Sequence, residues 1–205
     1  MGENRLDLRT CLEEAKAFHG DVCAGIVLGT RLALLGLQAI GIDDPKGKDR
    51  KDLIVYVETD RCATDAILSV TGCHPGKRSM KILDYGKMAA TFINVKTGKA
   101  VRVVVRSKGK PGDTRTREVI DQEPPIDLEQ YVVMPADKLF MLQDVTVHLR
   151  PEDMPGKPSQ ISVCSACGEQ VMDKREVVRD GKILCRPCSD GISYYGAVSP
   201  PRPAT

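Results

Sequence analysis

The stretch "FHGDVCAGIVLGTRLALLGLQAIGI", residues 18–42, decides the fold. Its apolar run from Ala24 is long enough to span a bilayer, but Arg31 and Gln38 fall inside it. A central arginine costs about 2.5–3.5 kcal/mol in a membrane even on lenient scales, so the run reads as a helix buried in a soluble core. A helix is expected over residues 24–40 with Gly41 as its stop. Gly25, Gly29 and Ala33 recur along it at four-residue spacing, a stripe on which another backbone can pack closely.

Around that helix the pattern is mixed. "LRTCLEEAKAFHG" suggests an amphipathic first helix that buries Cys11, and "DDPKGKDRKD" is a polar loop. "LIVYVET", residues 53–59, has the β-branched and aromatic content of a strand. Asp60 is a candidate N-cap for a helix starting at Cys62 and ending at Gly72. "MAATFINVK" and "KAVRVVVRS" flank Thr97-Gly98 as an alternating β-hairpin, "DTRTREVIDQ" reads as a charged helix or extended arm, and "LFMLQDVTVHL" returns to strand character. The expected class is α+β, with helices packed on a mainly antiparallel sheet.

Composition sets the bounds. In 205 residues, 41% apolar and 28% charged describe an ordinary globular chain able to bury a core. Lys and Arg number 30 against 28 Asp and Glu, so any basic surface must be local. The N-terminal decapeptide has no apolar run behind a basic start, and Gly2 lacks the downstream Ser or Thr of a myristoylation site, so a cytoplasmic protein without a membrane anchor is expected. "RPEDMPGKPSQ" concentrates Pro, Gly and charge. The expected organisation is a core domain over 1–150, a linker over 151–160, a cysteine-rich module over 161–196 and a disordered Pro-rich tail over 197–205.

The eight cysteines divide into two chemistries. Cys164, Cys167, Cys185 and Cys188 follow C-x2-C-x17-C-x2-C. Each two-residue gap lets a pair of thiolates reach the same ion at about 2.3 Å, and two such knuckles complete a tetrahedron around structural zinc, in a zinc ribbon or treble clef. The module is too small to fold on apolar burial, so metal supplies its fold, and the Asp180-Gly181 pair supplies a tight turn. Two disulfides or a rubredoxin-like iron site are the alternatives for the same thiolates.

Cys23 and Cys62 each fall at an expected helix start, where unpaired N–H groups and the dipole favour a thiolate that can attack or bind metal. His19 lies four residues before Cys23, and either a helical turn or a loop at Gly20 permits a His/Cys metal site. A hydrogen-bonded packing histidine beside a small buried thiol is the other reading. "GCHPGKRS" misses the nucleotide-binding loop by one residue between its glycines and has Arg78 where the magnesium-binding hydroxyl belongs, although Lys77 and Arg78 could still cradle an anion. Lys99, Arg102, Arg106, Lys108, Lys110, Arg115 and Arg117 could line one surface for nucleic acid, against which stands a plain solvated strand face without stacking aromatics.

"FHGDVCAGIVLGTR" together with "ETDRCATDAILSVTGCHPGKRSMKILDYGKMAATFIN" resembles the FmdE family of formylmethanofuran dehydrogenase-associated proteins, whose members share His-Gly-x-x-Cys-x-Gly, then Cys-x-x-Asp-Ala, then Thr-Gly-Cys with a following Gly-Lys and Asp-Tyr-Gly-Lys block. The resemblance covers roughly residues 10–150, and many members append a C-terminal zinc finger. It implies that His19, Cys23, Cys62 and Asp65 converge in a cleft able to hold a second metal ion or another ligand. It further implies that Thr71, Cys73, Gly76, Lys77, Asp84, Tyr85 and Lys87 line the approach. Asp21 and Ala24 depart from the His and Pro often found there. The resemblance also implies a homodimer, and association with a molybdenum or tungsten enzyme.

Two functions are therefore expected to compete. One is an accessory or redox-related protein of one-carbon or molybdenum/tungsten enzyme metabolism: Cys23 and Cys62 are ligands or redox thiols, His19 a ligand or proton carrier, Asp65 an orienting carboxylate, and Lys77 and Lys87 attract an anion. The other is a zinc-stabilised module that docks on an enzyme complex or nucleic acid without catalysis.

Overall fold

The structure is a computed structural model that describes residues 6–107, 109–122, 124 and 127–196. Lys108 of the basic run and the expected tail over 197–205 lie outside the described residues. The chain divides into two compact units, Met1–His148 and Leu149–Thr205.

In the first unit, α1 (Leu8–His19) is capped by Asp7, whose carboxylate accepts from the Thr10 N–H at 3.1 Å, and it stops at Gly20 with φ 105°. The central helix α2 (Ala24–Ile40) begins directly after Cys23 and ends at left-handed Gly41. β1 (Leu53–Val57) leads into α3 (Cys62–Thr71), where Arg61 and not Asp60 holds the N-cap position and Gly72 ends the helix with φ 66°. β2 (Met80–Ile82), β3 (Ala89–Asn94) and β4 (Ala100–Val105) follow. The short helices α4 (Arg117–Asp121), α5 (Leu128–Val133) and α6 (Ala136–Leu139) precede β5 (Phe140–Asp144).

The five strands make one sheet in the order β2-β1-β3-β4-β5. Its pairings are antiparallel except β1 with β2, which run parallel. β2 is three residues long, too short to leave a periodic signal in the sequence, and its partner is reached only through the α3 crossover. The β3–β4 hairpin forms at Gly98 with φ 76°, but β3 does not alternate: all six of its residues are buried, so both faces of the sheet are covered at its centre.

The stripe of small residues on α2 fixes how this unit packs. A Cβ on Gly29 would lie 2.7 Å from the Ala63 Cα, so α2 and α3 approach backbone to backbone, and Ala33 is fully buried further along. One on Gly36 would sit 2.2 Å from the Phe92 ring, which brings α2 down onto the sheet. Leu32, Leu37 and Ile40 of α2 then join Val55, Val57, Ala90, Phe92, Val101 and Val103 in one apolar cluster. The strand members alternate and share one face by register, as a sheet covered by a helix requires.

The second unit opens with a single 3-10 turn, Pro151–Asp153. Two hairpins follow, β6 (Ile161–Val163) with β7 (Gln170–Met172), and β8 (Val177–Arg179) with β9 (Lys182–Leu184). The five-residue helix α7 (Arg186–Asp190) closes it. Asp180 and Gly181 both take positive φ, 51° and 70°, which is what a two-residue turn between right-twisted strands demands. Among its described residues the only buried one with an apolar or thiol side chain is Cys164.

Candidate metal centres

The second unit brings its four cysteines together from the two hairpins and the helix. Cys164 and Cys167 occupy the turn between β6 and β7, Cys185 caps α7, and Cys188 lies in the first turn of that helix. All four sulfurs lie within 4.8 Å of one another, and the Cys167–Cys185 separation is 3.9 Å. A tetrahedral zinc with bonds of about 2.3 Å needs sulfur–sulfur edges of about 3.8 Å, so the donor set fits zinc. Backbone N–H groups, those of Cys167 and then Cys185, pull the Cys164 thiol down to about 6, whereas hydrogen bonding from Cys185 and then Cys167 pushes Cys188 up to about 12. Cys164 and Cys188 are thus pushed in opposite directions within one cluster, a conflict that a bound cation removes by favouring the thiolate.

The core unit builds a second group from three helix ends. His19 is the last residue of α1, Cys23 caps α2, and Cys62 is the first residue of α3. One ring nitrogen and the two sulfurs lie within 4.8 Å of one another, and all three residues are half-buried. Asp65, one turn into α3, accepts a hydrogen bond from His19 Nδ1 at 2.8 Å, while Asp21 Oδ1 stands 3.5 Å from Nε2. The Asp65 carboxylate fixes the tautomer that leaves the Nε2 lone pair available, the arrangement by which carboxylates orient metal-binding imidazoles. Edges of about 3.6–3.8 Å surround a tetrahedral ion bound by nitrogen and sulfur, so the donor set fits a borderline or soft cation after a small contraction.

Gly25 makes the meeting of the two cysteines possible. A Cβ there would be 2.9 Å from the Cys62 Cβ and 3.5 Å from the Cys23 Sγ, so any larger residue would push the thiols apart. The sequence shows Gly25 as one of a packing stripe, but only the tertiary contact reveals that it clears room for this pair.

The expected thiolate stabilisation at a helix start does not prevail at Cys62. Burial, and after it the hydrogen bond and charge of Cys23, push its thiol above the ordinary value. Two sulfurs in a half-buried niche disfavour two negative charges more strongly than the α3 dipole favours one.

The remaining residues expected to line the cleft fall on three separate segments. Thr71 and Cys73 lie at the opposite end of α3 from Cys62, about 14 Å away along a helix rising 1.5 Å per residue, and they do not join the cluster. Thr71 is fully buried, donates to the Ile67 carbonyl at 2.6 Å and accepts from the Cys73 N–H at 3.1 Å. Cys73 is sealed at 3% exposure, and burial pushes its thiol up, so it is a packing thiol. Gly76 and Lys77 are exposed on the loop that follows. Asp84, Tyr85 and Lys87 form a turn anchored by the Tyr85 and Lys87 N–H groups on the Glu58 carbonyl, which places it at the end of β1 that feeds α3. Lys87 there rests 5.9 Å from the centre of the exposed Tyr85 ring.

Sequence reasoning missed Glu58. It is 7% exposed, and Arg102 binds its carboxylate through two nitrogens at 2.6 and 2.7 Å, holding the carboxyl below its usual range. Arg102 is thereby removed from the expected basic surface, and Arg117 is paired with Asp121 at 2.8 Å. A single charge in a strand gives no signal of its partner 44 residues away.

Comparison with known proteins agrees with this division. Residues 18–141 match the family described as "FmdE, Molybdenum formylmethanofuran dehydrogenase operon". The chain belongs to the FmdE family. Residues 158–194 match the prokaryotic dksA/traR C4-type zinc finger, so the four-cysteine segment of this FmdE protein is a zinc finger. A "Probable S-adenosyl-L-methionine-binding protein" of Archaeoglobus fulgidus is 30% identical over 93% of this chain and 55% of its own length. The FmdE chain thus spans about half the length of that relative. A crystal structure of a tungsten formylmethanofuran dehydrogenase FmdE-like protein from Syntrophus aciditrophicus shares the fold, with a TM-score of 0.59 at 22% identity, over 95% of this chain and 100% of the other. Among the described residues no helix is long and apolar enough to cross a membrane.

Proposed function

We propose that this FmdE protein is a metal-binding accessory protein of an enzyme complex in one-carbon metabolism, working as a homodimer, with His19, Cys23 and Cys62 holding a second ion besides the zinc of the finger. What carries the reading is that three ligand atoms from three different helix ends meet within 4.8 Å in a half-buried niche. A bound ion with three protein ligands keeps an open position and supplies Lewis acidity or, for a redox-active metal, an electron-transfer centre. Around it, Asp65 keeps His19 in the ligating tautomer, and the exposed Asp21 carboxylate, 3.5 Å from Nε2, adds negative charge that favours a cation there. The thiol form of the same reading uses Cys23 and Cys62 as a redox pair in the absence of metal.

Metal analysis of the purified chain tests it. The expected result is two ions per wild-type chain and one in a Cys23→Ala, Cys62→Ala double variant. One ion in both would sink the core metal, and unchanged thiol reactivity in the double variant would remove these residues from the redox form as well. Co-purification with a molybdenum or tungsten dehydrogenase complex tests the accessory role.

A second reading, a docking module without catalysis, is favoured by one observation on the zinc finger. Ile161 and Met172 are directly paired across β6 and β7, Val163 lies on the same face, and all three are exposed. An enzyme complex is the partner this face suits, since nucleic acid would demand cations and stacking rings there. Nucleic-acid binding that falls steeply with salt would reverse that preference.

A further inference from the structure

The first unit contains a cavity of about 180 Å³ with walls of Leu28, Val105, Tyr131 and Leu139, and no cysteine lines it. Leu28, Tyr131 and Leu139 are 5–8% exposed, whereas Arg106 and Lys138, which also line it, are exposed to solvent. The apolar walls therefore form the floor and the two cations the mouth. Arg106 Nε donates to the carbonyls of Asp137 at 2.9 Å and Phe140 at 3.2 Å, which pins the guanidinium in place. Its terminal amino groups have no hydrogen-bond partner, and neither cation has a carboxylate within ion-pair distance, among the described residues. The contrast with Arg102 and Arg117, both paired with carboxylates, is direct. Arg31 adds a third positive charge behind the wall, donating to the Tyr131 carbonyl with its guanidinium 5.9 Å from the Phe140 ring centre.

An apolar pocket closed by uncompensated cations, one of them a pinned guanidinium, has the complement of a carboxylate carrying a short hydrocarbon. Sites for drug-sized ligands run to about 300–1,000 Å³, so the occupant here is smaller. We propose that this cavity binds a short-chain carboxylic acid, with its carboxylate on Arg106 and Lys138 and its chain against Leu28, Val105 and Leu139. Its lining shares no residue with either cysteine group.

Titration of the full-length protein with hexanoate, read by methyl and amide chemical shifts, tests this. Saturable shifts of Leu28, Val105 and Leu139 are expected, with hexan-1-ol at the same concentrations producing none. Arg106→Gln should weaken hexanoate about tenfold or more. Because Arg106 also ties α6 to β5, Lys138→Gln, which breaks no hydrogen bond of the described fold, is the second variant, and a severalfold loss is expected there. Absence of saturable shifts, equal shifts with hexan-1-ol, or hexanoate binding unchanged in Lys138→Gln would overturn the proposal.

Discussion

The core unit and the zinc finger solve the same problem of holding a fold together with opposite means. The core buries a large apolar cluster that includes α2 and alternate residues of β1, β3 and β4, and its His19, Cys23 and Cys62 group lies at the helix ends beside a second, smaller cluster. The finger buries Ser162, Cys164, Asp173 and Ser189 and no aliphatic side chain among its described residues. Its four clustered sulfurs stand where a core would be. The core therefore has an apolar cluster to hold it whatever its helix-end group binds, whereas the finger is expected to depend on its metal.

The sharpest way to break this comparison is to remove metal. A zinc site of this kind carries about 10–16 kcal/mol of apparent binding free energy, so a strong chelator or Cys185→Ser should unfold the finger. Amide spectra are expected to lose dispersion for residues 161–190 while those of residues 8–105 stay in place. Joint collapse of both units would show that the core also depends on its ion.

A smaller effect probes the core alone. Glu58→Gln leaves the half-buried Arg102 without its counter-charge and should cost about 3 kcal/mol in denaturant unfolding of the core, with the finger unchanged. The sign with pH follows from the lowered Glu58 carboxyl. Its contribution is complete above the unfolded carboxyl value of about 4.3 and is lost as pH falls through the lower folded value, so wild type and variant should converge in acid. Parallel stability curves down to low pH would show the pair to be energetically idle.

The smallest effect sharpens the contrast between a fold-bearing and a function-bearing site. Asp65→Asn removes the charge that orients His19 and should weaken metal binding at the core group by about 10- to 100-fold, with the melting temperature of the metal-free chain nearly unchanged. Competition with a chromophoric chelator measures the first and calorimetry the second. Unaltered affinity would mean that the imidazole is not a ligand.

Much of the fold was legible because it is written in local patterns. The run from Ala24 to Ile40, its stop at Gly41, the β3–β4 hairpin and the turn at Asp180-Gly181 each follow from a few adjacent residues. β2 and the two-sided burial of β3 were not legible, since they depend on what arrives from elsewhere in the chain. The same holds for the sites. Cys164 and Cys167 sit on one knuckle and Cys185 and Cys188 on another, so spacing alone announces their ion. Cys23 and Cys62 are separated by a helix, a loop and a strand, and spacing could not bring them together.

The sequence by itself determined the helical, strand and turn propensities and the four-sulfur zinc finger, because backbone preference and knuckle geometry act over a few residues. Only the tertiary structure decided that α2 and α3 pack closely enough, at Gly25 and Gly29, for His19, Cys23 and Cys62 to meet. It also decided that Thr71 and Cys73 stay a helix length away, and that Glu58 claims Arg102. Contacts between distant segments are set by which apolar faces bury one another, and that choice belongs to the whole core and not to any one stretch of it.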